Sequence, residues 1–408
     1  FYTNSVLDAE ADTDAQADIQ IHILPKLAPG AEMAARLTSA WLECSAQAYA
    51  TLPQLHGSLS ALLFRSLKLH SDCRVIDGID DTTLTYGQLL AISVAFAKRL
   101  KKITSNRRVG IILPPGKGAA IANLGFLFAG KTPVNFNYSA SEGAFASSVK
   151  QSGVDWFITA DTFMRKLQNF PWPPQRDLIL MEREIPLLKG SAKRWGLAIK
   201  FLTAGFMIKK LGLDAPTGAD EAVLMFTSGT TGRSKAVMLS ERNFFTTVEC
   251  QVKFGDAMLD YKHEHMPEDK NDVLSNFAIL PLFHLGTFIC LFVWACKGWA
   301  LNLSADIRDF YRDLGLMHSD VMASAPMLVE TIYNDMKRGR VSRLNGLWDL
   351  CCSSAALDPK MLLELAQNGF VVNQCYGMTE TFGDGILNFT QVEKHMSAVG
   401  KPLSLIHI

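Results

Sequence analysis

Short apolar, β-branched runs alternate with stretches of helical length along most of the chain. From about Asp81 the runs are VGIIL (109–113), PVNF (133–136) and VDWFI (154–158), with a helical pattern through Gly125 and a second helix before Val154. The rhythm resumes with AVLMF (222–226), KAVML (235–239), SNFAIL (275–280), WALNL (299–303), VMASA (321–325), LWDLCC (347–352) and VVNQCY (371–376). Alternation of this kind predicts an α/β fold of parallel sheets wound by crossover helices. The charged region 254–273 reads as a polar surface excursion, and no internal repeat or low-complexity tract breaks the pattern.

One stretch departs from this rhythm. Trp195 to Leu213 (WGLAIKFLTAGFMIKKLGL) is apolar enough to suggest membrane, yet Lys200 interrupts it and Lys209 and Lys210 close it short of the roughly 20 apolar residues a spanning helix needs. Two readings stay open: an interfacial helix in peripheral contact with a membrane, or a core helix with solvated lysines.

At 408 residues the chain has room for two or three core-bearing units or for lobes of one large domain. Its 40 basic residues balance 40 acidic ones, so no overall field points to nucleic acid as a partner. The eight cysteines form no CxxC pair and mostly sit in apolar surroundings, as reduced core residues of a cytoplasmic protein do. The first residues have neither a start Met nor the basic-then-apolar pattern of a signal peptide. Residues 1–65 read as a lead-in without a motif, the tail of an upstream domain.

Candidate chemistry concentrates in the second half. FTSGTTGRSKAV (226–237) follows a buried-looking strand and offers the hydroxyls of Thr227, Ser228, Thr230 and Thr231 around Gly229 and Gly232. Small residues let backbone N–H groups approach an anion, hydroxyls add hydrogen bonds, and Lys235 adds positive charge, so the loop suits phosphate. It is not a Walker A loop, because Lys235 stands three residues after Gly232. Taken alone, a Gly/Thr-rich turn at the surface has the same composition.

The full string resembles the phosphate-loop signature of the adenylate-forming (AMP-binding) superfamily, which includes acyl-CoA synthetases, luciferases and peptide-synthetase adenylation domains. Ser234 and Ala236 replace the Pro and Gly usual on either side of the Lys. Further motifs follow in the family's order. LPLFHLG (280–286) resembles the segment between the ATP loop and the acyl pocket, with His284 where amino-acid-activating members carry an Asp that pairs with the substrate ammonium. CSSAAL (352–357) stands where relatives often read Gly-Gly-Ala-Pro-Leu, which gives Ser354, Ala355 and Ala356 a place beside the adenine; Asp358 and Pro359 then start a helix. CYGMTETFGDG (375–385) resembles the second strong signature. It implies that Tyr376, with Gly377 and Met378, flanks the base, that Thr379 meets the α-phosphate and that Glu380 holds Mg2+.

The resemblance implies the large N-terminal domain of the adenylate-forming fold over residues 66–402 and an acid–thiol ligase. A fatty acid is the implied substrate, ATP and Mg2+ the cofactors, and CoA or an acyl carrier protein the thiol partner. LTYGQLL (84–90) and the stretch 126–159, with its Asn-Tyr-Ser-Ala string, resemble the upstream part of the same superfamily. The second of these is similar to the acyl-acyl-carrier-protein synthetase and lysophospholipid acyltransferase branch, in which residues 1–65 would close an acyltransferase domain. Resemblance stops after SAVGKP (397–402), before the family's ribose-binding aspartate, hinge and C-terminal lid. LSLIHI (403–408) is similar to a translated sequencing adapter and reads as a non-native tail. The competing readings are an amino-acid adenylation domain and a nucleotide- or acyl-binding module without turnover.

Overall fold

The structure, a computed structural model, describes residues 57–215, 221–227, 234–266, 273–340, 344–388 and 401–402. Short 3-10 turns aside, its first half runs α1 (Leu59–Leu69), β1 (Arg74–Asp77), β2 (Thr82–Thr85), α2 (Tyr86–Ile103), β3 (Arg108–Ile111), α3 (Lys117–Phe128), β4 (Thr132–Asn135), α4 (Glu142–Ser152), β5 (Phe157–Thr159), α5 (Asp161–Lys166), β6 (Leu178–Leu180), α6 (Met181–Phe201) and α7 (Ala204–Leu211). The second half runs β7 (Glu221–Phe226), β8 (Ala236–Ser240), α8 (Glu241–His265), β9 (Ser275–Ala278), α9 (Leu285–Lys297), β10 (Ala300–Leu303), α10 (Phe310–Leu316), β11 (Val321–Ser324), α11 (Pro326–Lys337), β12 (Asp349–Cys352), α12 (Pro359–Gln367), β13 (Val371–Met378), β14 (Gly383–Asn388) and β15 (Lys401–Pro402).

These strands form two sheets. One has six strands in the order β6-β5-β3-β4-β7-β8, the other nine in the order β15-β14-β13-β12-β11-β9-β10-β1-β2. Parallel pairing runs through the middle of both, as the strand and helix alternation predicts, and antiparallel strands sit only at edges, where β8 folds back on β7, β2 on β1 and β14 on β13. A parallel partner needs a crossover, and the apolar helices supply it. α3 is the extreme case: Ala119 to Phe128 are all buried. It lies against α2 at Gly125, where a Cβ would stand 2.6 Å from the Phe96 ring, so only glycine permits that approach.

α1 straddles residue 65, and its Leu59, Leu63 and Phe64 are enclosed in the same core as α2 and α3. Two expectations change. The segment 254–273 is not a surface excursion at its start, because α8 runs on to His265 and buries Phe254, Met258 and Lys262. Its charges mislead: the Lys262 ammonium reaches the Asp320 carboxylate at 3.2 Å, both side chains enclosed, and the second Asp320 oxygen accepts from the backbone N–H and the hydroxyl of Ser275. Trp195 to Leu213 is not one helix either, since the chain leaves the helix at Leu202 and restarts behind the Thr203 cap.

The ion pair docks the end of α8 onto the start of β9 and β11. Removing one partner strands the other in a dry site, so Lys262→Met is expected to cost about 3–5 kcal/mol in urea unfolding, with most of the loss recovered on adding Asp320→Asn. A loss under about 1 kcal/mol, the range of a solvated pair, would show that water reaches this contact.

Candidate functional site

The phosphate-loop string falls between β7 and β8. Its neck is closed by a reciprocal set of bonds: the Thr227 N–H donates to the Lys235 carbonyl (3.0 Å), the Lys235 N–H donates to the Thr227 hydroxyl (3.3 Å), and the Ser234 hydroxyl donates to the Thr227 carbonyl (2.7 Å). Ser234, which replaces the usual Pro, thus ties the neck by hydrogen bonding where Pro would stiffen it through its ring. The tip, with Ser228, Gly229, Thr230, Thr231 and Gly232, lies outside the described residues. Gln151 of α4 braces the exit strand, its amide donating to the Ser234 carbonyl (2.9 Å) and accepting from the Ala236 N–H (3.2 Å). No feature of the sequence singles out Gln151, because the contact spans 83 residues.

The adenine-side candidates sit at the carboxyl ends of two neighbouring parallel strands, where α/β sheets place their ligands. β12 and β13 pair from Asp349↔Val371 to Cys352↔Gln374, so the chain leaves β12 into Ser354, Ala355 and Ala356 just beside Tyr376. All four are exposed, as are Gly377, Met378 and Glu380, while Thr379 is half-buried. Ser354 has φ +84°, the left-handed region that glycine occupies freely and where other residues pay about 1–2 kcal/mol. Here the loss of the family's glycine leaves its backbone conformation in place. Asp358 caps α12 by accepting from the Lys360 N–H (2.9 Å), with Pro359 in the first turn, as the sequence predicts.

Thr379 to Thr381 form a single 3-10 turn that packs against β8 and so faces the phosphate-loop hairpin. What holds it there is Phe382, which lies within the second signature string but to which the sequence assigns no role. Its ring is buried against Phe244 at 5.1 Å, and its carbonyl accepts from the Thr247 hydroxyl at 2.8 Å. Phe244 and Thr247 belong to α8, the helix that β8 leads into.

The acyl-pocket candidate His284 is the backbone cap of α9, exposed, with its ring 4.7 Å from that of Phe283. Burial lowers its pKa, so the imidazole is neutral at pH 7. Tyr138, from the Asn-Tyr-Ser-Ala string, meets Phe283 edge-on at 5.1 Å. Two strings far apart in sequence therefore share one aromatic wall.

The loop neck, the Thr379–Thr381 turn packed against β8 and the exposed strand ends form an open shelf. Two cavities, of about 620 and 490 Å3, lie one beneath α6 and the other between residues 138–142 and 166–171, with Tyr138 in its lining. Among the described residues no group of three His, Cys, Asp or Glu side chains converges on a point. A lone exposed carboxylate at Glu380 nonetheless fits Mg2+, which takes one or two carboxylates and completes its shell with phosphate and water.

The hairpin neck and the exposed strand ends belong to an α/β domain, and the chain is a member of the AMP-binding enzyme family, whose sequence profile matches residues 63–408. Among curated relatives it is 24% identical over 316 residues to 4-coumarate--CoA ligase-like 1 of Arabidopsis thaliana, covering 75% of this chain and 54% of that protein. It is 26% identical over 257 residues to 4-hydroxybutyrate--CoA ligase 2 of Metallosphaera sedula, covering 62% and 44%. The chain thus spans about half the length of such relatives. The N-terminal domain of FACL13 from Mycobacterium tuberculosis superposes with a TM-score of 0.64 at 16% identity, covering 85% of this chain and 83% of that one. VinN does so at 0.65 and 20% identity, covering 86% and 82%, and its fold has also been solved with 3-methylaspartate and with L-aspartate. These likenesses establish the N-terminal domain fold of adenylate-forming enzymes.

Relief of the Ser354 backbone is directly measurable. Ser354→Gly should unfold at the wild-type temperature or slightly above, while Ser354→Val, β-branched at positive φ, should lose about 2 kcal/mol. Equal losses in both would mean the hydroxyl, not the backbone, decides this position.

Proposed function

We propose that this chain is the nucleotide-binding part of an acid–thiol ligase, one that activates a carboxylic acid, a fatty acid foremost, with ATP and passes the acyl group to the thiol of CoA or an acyl carrier protein. The observation that carries the reading is the bond between Thr247 and Phe382, which sets the Thr379–Glu380 turn against the phosphate-loop hairpin. The family membership and the CoA-ligase names of the relatives support it.

In this reading Thr227, Ser228, Gly229, Thr230, Thr231, Gly232 and Lys235 hold the phosphates. Ser354, Ala355 and Ala356 line the adenine on one side, and Tyr376, Gly377 and Met378 on the other. The acid's carboxylate oxygen attacks the α-phosphorus, and the bond to the β-phosphate breaks to release pyrophosphate. A thiolate then attacks the acyl carbon and AMP leaves. Mg2+ bound by Glu380 would neutralise phosphate charge. Thr379 donates to the α-phosphate, and Lys235 adds fixed positive charge where negative charge gathers, so the contribution of the chain is electrostatic and positional.

The neutral imidazole at position 284 favours acids without an α-ammonium, since a buried cation would need a carboxylate opposite it. Peripheral contact with a membrane belongs to the same proposal, because a fatty acid partitions into lipid. No helix among the described residues is long and apolar enough to cross a bilayer.

Pyrophosphate release by the whole gene product, with ATP, Mg2+ and a panel of fatty, aromatic and amino acids, tests the reading. Release with fatty acids that falls about 100-fold in Glu380→Gln is expected. Release with amino acids alone overturns the His284 argument, and binding of ATP without any release favours a module without turnover.

A further inference from the structure

The break at Leu202 leaves an apolar surface exposed among the described residues. Fourteen large hydrophobic side chains are exposed among the described residues, and five of them, Leu187, Leu197, Phe201, Leu202 and Phe206, fall on α6, α7 and the link between them. Phe201 is 75% exposed, more than a chance surface phenylalanine on a helix whose other face is buried through Met181, Leu188 and Ile199. Leu197 and Phe201 stand one turn apart, and Leu187 lies on the same side of the helix, so they form a stripe.

The charge around the stripe is one-sided. Between Ile185 and Leu213 there are six basic residues and no acidic one, in a chain whose totals balance. Among the described residues, Lys193, Lys200, Lys209 and Lys210 take no part in the ion pairs found elsewhere in the fold. The Lys200 and Lys210 ammonium groups lie near the Phe201 and Phe206 rings, at 5.8 and 5.6 Å from their centroids. Lys193 and Lys200 stand on the border between the stripe and the 620 Å3 cavity beneath α6, which Lys68 and the first turn of α2 also line. Asp72 is the one acid in that lining.

We propose that α6 and α7 form a docking surface for a bilayer containing anionic phospholipid, with Phe201, Leu202 and Phe206 entering the acyl boundary and a lipid phosphate seated at the mouth of the cavity against Lys193 and Lys200. Apolar side chains of this kind, ringed by lysine, match an interface that is greasy below and negatively charged above. A protein partner is disfavoured because the exposed stripe is bordered by lysines on flexible stems, with no acidic residue between Ile185 and Leu213, not by a polar rim of mixed sign. The inference rests on the proposed function only for its membrane contact and holds whichever acid is activated.

Vesicle co-sedimentation of the whole gene product tests it. The expected result is binding to vesicles of phosphatidylcholine with phosphatidylglycerol, at least about tenfold weaker binding to phosphatidylcholine alone, and weakening by 0.5 M salt, as several lysines each adding about 1 kcal/mol near a charged surface imply. The double variants Phe201→Ser/Phe206→Ser and Lys193→Gln/Lys200→Gln should each lose about tenfold in binding. Equal binding to both vesicle types, or unchanged binding in both double variants, would overturn the proposal. So would displacement from the vesicles by millimolar inorganic phosphate without loss of the apolar contribution, which would mark the cavity as a site for a soluble anion. All these positions are exposed or rim the cavity, so folding is checked by the unfolding temperature. Pyrophosphate release by the variants keeps the two proposals separable: vesicle binding without release fails the ligase reading alone, and release without vesicle binding fails this one alone.

Discussion

The hydroxyl of Thr247, donating to the carbonyl of Phe382 in a fully enclosed setting, is the contact on which the geometry of the site turns. Thr247 belongs to α8, which leaves the six-stranded sheet at β8, and Phe382 lies between β13 and β14 of the nine-stranded sheet. Phe382 adopts φ +55°, costly for a bulky residue, and the packing of its ring on Phe244 offsets that cost. Next along the chain, Gly383 at φ +121° has no room for a Cβ, which would stand 2.6 Å from Ile289 of α9. The turn bearing Thr379 and Glu380 is therefore anchored from the residues that follow it, and its position relative to the phosphate loop follows from their packing on α8 and α9.

This explains which parts of the site were legible. The strands were, since buried parallel strands must be apolar and β-branched, and the observed β3 to β5 and β7 to β13 fall within or beside the runs read from the sequence. The residues that touch ligand in the proposed reading were also legible, because small residues, hydroxyls and a carboxylate on turns have chemical signatures. Gln151 and Thr247 were not, nor was the packing role of Phe382. Each acts through a contact across many residues, and nothing in its local pattern distinguishes it from ordinary core or surface. The charged end of α8 misled for the same reason: Lys262 reads as solvated until Asp320 is found opposite it.

The protein separates its charges by role. At Lys262 and Asp320 the buried charges are paired and hydrogen-bonded. The shelf, by contrast, leaves Lys235 and Glu380 exposed, where arriving phosphate and its counter-ion can take the place of water. The basic run between Ile185 and Leu213 has no acidic residue within it, which a net charge of zero conceals. The departures from the family pattern at Ser234 and Ser354 fit this economy of means, since one replaces a rigid ring by a hydrogen bond and the other keeps a glycine's backbone at a modest cost in strain.

The central claim is that three segments far apart in sequence form one nucleotide site. Hydrogen exchange of the whole gene product, measured with and without ATP and Mg2+, tests it most directly. The account predicts that peptides covering 227–235, 353–357 and 376–382 gain protection together and at the same ATP concentration. Protection confined to the loop, with the two strand ends unchanged at saturation, would contradict it.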